Sequence, residues 1–170
     1  MSQIQLPLVV SGPSGVGKGT LISRLRAQHP DAFSLSRATM YHFVSATEFQ
    51  ALIDEKAFLE HTCFSGNHYG SGKILILDID MNGIQSIRDM GPDFAVRCAF
   101  ISPPNLKALE DRLRNRGTET EASIRQRLAQ AEREMAFAET RGPDDMLIIN
   151  HDLDDAYKRL EEFALGLQQR

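Results

Sequence analysis

The chain has 170 residues, 42% of them hydrophobic, which is enough for one compact domain with a sizeable core. Its 19 Lys and Arg against 23 Asp and Glu leave a net charge of -4, which argues against a nucleic-acid or membrane-surface protein, since those usually carry a basic patch. Cys63 and Cys98 lie far apart in apolar, strand-like segments and read as buried free thiols; residues 1–6 do not resemble a signal peptide, and no apolar run approaches membrane-spanning length. A cytoplasmic monomer is expected.

Segments of strand character alternate with segments of helical period, which predicts an α/β domain with a parallel sheet flanked by helices. Residues 6–11 are a short apolar run ending at Gly12. From Lys18, the residues Leu21, Ile22 and Leu25 follow a helical spacing, and His29-Pro30 closes that helix. Ser45 and Glu48 make a capping box, with Phe49, Leu52 and Ile53 as the stripe behind it. Residues 58–64 read as a strand. Residues 74–77 form an unbroken apolar run before Asp78, the pattern of a strand buried on both faces. Residues 96–101 are the next strand, stopped by Pro103-Pro104. Leu106, Leu109 and Leu113 define a helix that Gly117 terminates. Thr118 and Glu121 offer a second capping box, and Ile124, Leu128, Ala131 and Met135 carry a long helix behind it. Residues 146–149 are the last strand. Asp152 then caps a final helix with Ala156, Leu160, Phe163 and Leu167 facing inward.

The first strand and helix enclose GPSGVGKGT, residues 12–20, in which Gly12, Gly17 and Lys18 meet the spacing G-x-x-x-x-G-K. Glycines let the backbone turn sharply and approach phosphate oxygens, with N–H groups pointing inward, and the lysine adds a charge between the outer phosphates. Ser14, Gly15, Val16, Gly17, Lys18, Gly19 and Thr20 are therefore expected to hold the phosphates of ATP. Gly19 stands where a magnesium-binding Ser or Thr is usual. No direct protein ligand is expected for Mg²⁺, which ATP and water would hold with Thr20 and Asp78 in the outer shell. No N-K-x-D sequence occurs, so a GTP-dependent switch is disfavoured.

GPSGVGKGT followed by TMYHFVS, FLEHTCFSGNHYG, LDIDMNG and RGTETEASIRQRL, in this order, resembles the guanylate kinase family, with the fungal or animal branch nearest. The resemblance runs from about residue 8 to 157. It implies transfer of the ATP γ-phosphate to GMP or dGMP. It also implies a P-loop NTPase core (about 1–35, 74–112 and 136–170), a GMP-binding subdomain (about 36–73) and a lid (about 113–135). Glu60 matches the family carboxylate that accepts from guanine N1–H and the 2-amino group, a pattern adenine cannot satisfy. Asp80 adds an acceptor near the 2-amino group, and Asp78 belongs to the same substrate set. Tyr41 and Tyr69 match tyrosines that bond the GMP phosphate. Arg112, Arg116 and Arg127 match arginines that close over the ATP phosphates and the transition state, and Asn150 matches a position near adenine. Arg114, Arg125 and Arg133 read as ordinary exposed helix residues. A non-catalytic interaction module of the same family is the competing reading; the retained Gly12, Gly15, Gly17 and Lys18 argue against it.

Two stretches are shorter than the family pattern. Between Ser36 and Tyr41 only Arg37-Ala38-Thr39-Met40 stands in place of S-x-T-T-R-x-P-R-x-G-E, and Arg37 corresponds to one of two phosphate-binding arginines there. After Tyr69-Gly70, Ser71-Gly72-Lys73 leads directly into the apolar run, too short for a crossover between parallel neighbours. Ser71 is either the guanine-contacting hydroxyl or the residue before the glycine-lysine pair.

Overall fold

The computed structural model describes residues 6–36, 62–64, 67–69, 73–91, 95–117 and 119–167; for 36, 62–64 and 67–69 it describes the backbone alone. In chain order the elements are β1 (Leu8–Ser11), α1 (Lys18–Gln28), β2 (Phe33–Ser36), β3 (Thr62–Phe64), β4 (Asn67–Tyr69), β5 (Ile74–Asp78) and α2 (Met81–Asp89). There follow β6 (Arg97–Ser102), α3 (Leu106–Asn115), α4 (Glu121–Ala138), β7 (Met146–Ile149) and α5 (Leu153–Leu165).

Five strands form one parallel sheet in the order β2-β5-β1-β6-β7. The central strand shows why. All four of its residues are buried, and successive side chains must point to opposite faces. Leu8 and Val10 enter one core layer with Leu21, Ile22 and Leu25 of α1 and Tyr157, Leu160 and Phe163 of α5. Val9 enters the other, with Leu77, Cys98 and Ile84 of α2. A third cluster, Leu109, Leu113, Ile124 and Ala131, fastens α3 to α4. Cys98 is a buried free thiol, and burial pushes its pKa up to about 12.

This strand order positions the site. Both neighbours of β1 run parallel to it, and the chain continues to opposite sides of it, so a crevice opens at the C-terminal strand ends. There the glycine loop leaves β1 beside Asp78, which is in register with Val10. β3 and β4 pair antiparallel in a separate two-stranded sheet, Thr62 opposite Tyr69. Because β4 does not pair with β5, the short link between them has no parallel crossover to make.

Several local readings need correction. β4 carries too few apolar residues to announce itself by period, whereas β2, with Phe33 and Leu35, and α2, with Met81, Ile84 and Ile87, are short patterned elements that the sequence reasoning missed. The cap of α4 is Thr120, whose hydroxyl accepts from the Ser123 N–H at 3.2 Å, rather than Thr118. α5 ends at Gly166, left-handed at φ 70°, so Leu167 beyond it is 63% exposed instead of facing inward. The Ser45–Glu48 capping box and residues 58–61 lie outside the described residues.

α1 and α5 are also joined by polar contacts. The Tyr157 hydroxyl donates to Glu161, which lies 2.6 Å from His29 Nε2, and the Arg24 guanidinium sits 4.3 Å over the Tyr157 ring. Hydrogen bonds from Tyr157 and His29 hold the Glu161 carboxyl below its usual range. A depressed carboxyl stabilises the fold above its unfolded value of about 4.3 and loses that contribution as pH falls through the folded value. Tyr157→Phe is therefore expected to make the acid-side decline of stability shallower, measured as thermal midpoint from pH 6 down to about pH 3. Parallel declines in parent and variant would remove Glu161 as the cause.

Candidate active site

The loop between β1 and α1 is shaped by glycines that no other residue can replace without movement. Gly12 has φ 134°, and a Cβ there would fall 2.0 Å from the Ile101 carbonyl oxygen. Gly17, the N-cap of α1, has φ 106°, and its Cβ would meet Asn150 Nδ2 at 2.7 Å. No side chain caps α1, and its first turn has no acidic residue. The first N–H groups of α1 are thus left for an outside acceptor, at the positive end of the helix dipole.

The middle of the loop is pinned through the Val16 carbonyl. Asn150 Nδ2 donates to it at 2.8 Å and Arg112 Nη1 at 3.4 Å, while Arg112 Nη2 donates to the Asn150 carbonyl at 2.7 Å. Asn150 itself is buried at the end of β7, its N–H bonded to the Ser102 carbonyl at 2.8 Å. The loop is therefore tied to the far side of the sheet by two side chains that the sequence assigned to ATP.

Lys18 folds back over its own loop and donates to the carbonyls of Gly12 and Pro13. Burial pushes its pKa down; the Asp78 and Glu134 carboxylates counter this, and the Arg116 guanidinium adds to it. Arg127 reaches from α4 to donate to the Ser14 hydroxyl of the loop. Its guanidinium is oriented from behind by Glu119 at 3.2 Å and by Ser123, whose hydroxyl donates to the same Glu119. Arg116 is exposed at the C-terminal cap of α3, where its N–H bonds the Leu113 carbonyl, and its guanidinium takes no hydrogen-bond or ion-pair partner among the described residues. Arg114 is spent on Glu110 and Glu121, and Arg133 on Gln130.

The remaining expected site residues divide in two. Asp78 is half-buried at the end of β5, and Asp80 caps α2 by accepting from the Gly83 N–H at 2.9 Å. Tyr69 closes β4. Arg37, Tyr41, Glu60 and Ser71 lie outside the described residues. At Gly19 a Cβ would meet nothing within 4 Å, and the neighbouring Thr20 is exposed. The structure thus brings Ser14, Lys18, Asp78, Arg112, Arg116, Arg127 and Asn150 to one rim.

Sequence reasoning missed three members of this rim. Glu119 and Ser123 orient Arg127, and Glu134 is a buried carboxylate of α4 whose charge acts on Lys18. Glu134 did leave a signal, since it falls between the buried Ala131 and Ala138, at a position of α4 where an apolar residue is the rule.

Comparison with known proteins agrees with this geometry. The family model for guanylate kinase matches residues 5–165. A guanylate kinase of Schizosaccharomyces pombe is 42% identical over 184 residues, covering 94% of this chain and 90% of the relative. Among solved structures, guanylate kinase from Anaplasma phagocytophilum aligns with a TM-score of 0.54 at 23% identity, covering 98% of this chain and 87% of that one. The SH3-kinase fragment of tight junction protein 3 aligns with the same TM-score at 17% identity, covering 98% of this chain and 58% of that one. These two structural likenesses speak for the fold. With a family match over nearly its whole length and a relative sharing two residues in five, the chain belongs to the guanylate kinase family.

Proposed function

We propose that this chain transfers the γ-phosphate of ATP to GMP, with Lys18, Arg116 and Arg127 stabilising the transferring phosphoryl group. The observation that carries the reading is the loop itself: an uncapped α1 N-terminus, a lysine at its first position and Arg127 already in contact with Ser14. Such a reaction needs positioning and charge neutralisation more than it needs a base, because the GMP phosphate is already an anionic nucleophile. Arginine suits that task, being always charged and able to bind two oxygens at once. Arg112 and Asn150 act on the ATP side by holding the loop through Val16, in addition to their expected contacts with nucleotide.

On the acceptor side the reading assigns guanine to Glu60 and Asp80 and the GMP phosphate to Arg37, Tyr41 and Tyr69, with Ser71 and Asp78 beside them. The Asp80 oxygen that caps α2 is Oδ1, which leaves Oδ2 for such a role. The division into core, acceptor subdomain (36–73) and lid (113–135) is part of the same proposal. Among the described residues no group of three His, Cys, Asp or Glu side chains converges as for a resident metal ion. The donor set fits a Mg²⁺ that enters with ATP, with Thr20 and Asp78 in its outer shell. When bound, Mg²⁺ neutralises charge on the β- and γ-phosphate oxygens.

Among the described residues no helix is long and apolar enough to cross a membrane. The acidic balance of -4 supports a partner set restricted to the two nucleotides, without nucleic acid. The buried Cys98 thiol suits a reducing cytoplasm, where we place the protein as a monomer.

A coupled assay of ADP formation with GMP, dGMP, AMP and UMP tests the assignment; turnover is expected with the guanine nucleotides. Failure with GMP would move the assignment to a non-catalytic module. Lys18→Ala and Arg127→Ala are each expected to lower kcat by about 10²–10³-fold, since each removes charge stabilisation realised mainly in the transition state. A variant that retains the parent's kcat acquits its residue of that role. Glu60→Gln is expected to raise KM for GMP while KM for ATP stays near the parent value. Equal losses for both nucleotides would contradict base recognition by Glu60.

A further inference from the structure

Glu134 sits on the inward face of α4 and is only 8% exposed. One of its oxygens, Oε1, accepts from Gln130 Nε2 at 3.1 Å. The other, Oε2, is fully buried and has no hydrogen-bond partner among the described residues. A buried carboxylate left half-satisfied costs stability, and an apolar residue of the same size at such a place is usually neutral or stabilising. Packing therefore does not explain it.

Its surroundings do. Arg127, which touches Ser14 of the loop, precedes Glu134 by seven residues, two helical turns, and so lies on the same side of α4. The charged groups acting on Lys18 come from three directions: Asp78 from β5, Arg116 from the end of α3, and Glu134 from α4. Lys18 meanwhile rests on the Gly12 and Pro13 carbonyls, contacts it must exchange for phosphate oxygens when nucleotide enters.

We infer that Glu134 tunes the phosphate loop: its buried, half-satisfied carboxylate, on the same face of α4 as Arg127, opposes anionic phosphate at Lys18 once nucleotide has bound. The inference rests on residues 12–20 being the ATP phosphate site. Its consequence has a sign that a structural role does not share. Removing the charge removes like-charge repulsion toward the nucleotide, so binding tightens. Removing a packing element loosens the site instead.

The test is titration calorimetry of ADP, with Mg²⁺ present, on the full chain and on Glu134→Gln, which keeps an acceptor for Gln130 and loses only the charge. The ADP Kd is expected to fall by about three- to tenfold, with no fall in the thermal midpoint of the nucleotide-free protein. Glu134→Asp, which keeps the charge, is expected to stay within about twofold of the parent. Glu134→Met should show the same tightening as Glu134→Gln. Unchanged or weaker ADP binding in Glu134→Gln overturns the inference, as does failure of both neutral variants to fold, because the carboxylate is then kept for structure. An absence of ADP binding by the parent itself would instead bring down the phosphate-site reading, and this inference with it.

Discussion

A phosphate site made from backbone must leave N–H groups unpaired at the start of a helix and still keep the surrounding chain rigid. Unpaired buried donors are costly, and a loop free enough to expose them is free enough to collapse onto them. Here the conflict is met by fixing the carbonyl side of the loop rather than the amide side. Asn150 and Arg112 both donate to the Val16 oxygen, and Asn150 is in turn held by the Ser102 carbonyl. The left-handed Gly17 then brings the backbone to within reach of Asn150, a distance at which any Cβ would collide. Everything else at the rim depends on this anchoring, because it decides where the amides point.

The arginines follow from the same division of labour. Arg112 donates to the Val16 and Asn150 carbonyls and so holds the loop, and Arg114 is committed to two glutamates at the surface. Arg127 is held by Glu119 and Ser123 but keeps a contact with the loop. The Arg116 guanidinium is left without a hydrogen-bond or ion-pair partner among the described residues. A guanidinium already saturated by the protein has little left to give to a developing phosphate charge, so the ones held loosely or from behind are those able to respond. Position on a helix does not distinguish these cases. What each guanidinium already touches does.

This also explains how far the sequence could be read. The parallel sheet, the loop and the helices α1, α3, α4 and α5 were legible because each is carried by a strong local pattern: an unbroken apolar run, a 3.6-residue stripe, or glycines at fixed spacing. α2 was not, although Met81, Ile84 and Ile87 recur every third residue, since it is only 9 residues long and its start is set by Asp80, a residue already claimed for substrate. The loop-holding roles of Arg112 and Asn150 were illegible for a different reason. Their partner, the Val16 carbonyl, lies 96 and 134 residues away, and a backbone oxygen has no identity in sequence. Glu134 was passed over because charged residues on helices are usually solvated, and only its burial sets it apart. The acceptor side rests on motif order, since Arg37, Tyr41, Glu60 and Ser71 fall outside the described residues.

Gly19 shows where the physical reading goes beyond the motif. A glycine at the usual hydroxyl position suggests a backbone that has no room for a side chain. Yet a Cβ at Gly19 meets nothing within 4 Å, and its φ is not among the positive values that mark Gly12, Gly15 and Gly17. Neither space nor conformation requires glycine here. The three glycines before it are dictated by the loop; this one is not. The hydroxyl of this first turn stands one residue later, on the exposed Thr20, so the turn keeps a hydroxyl although its second position carries none.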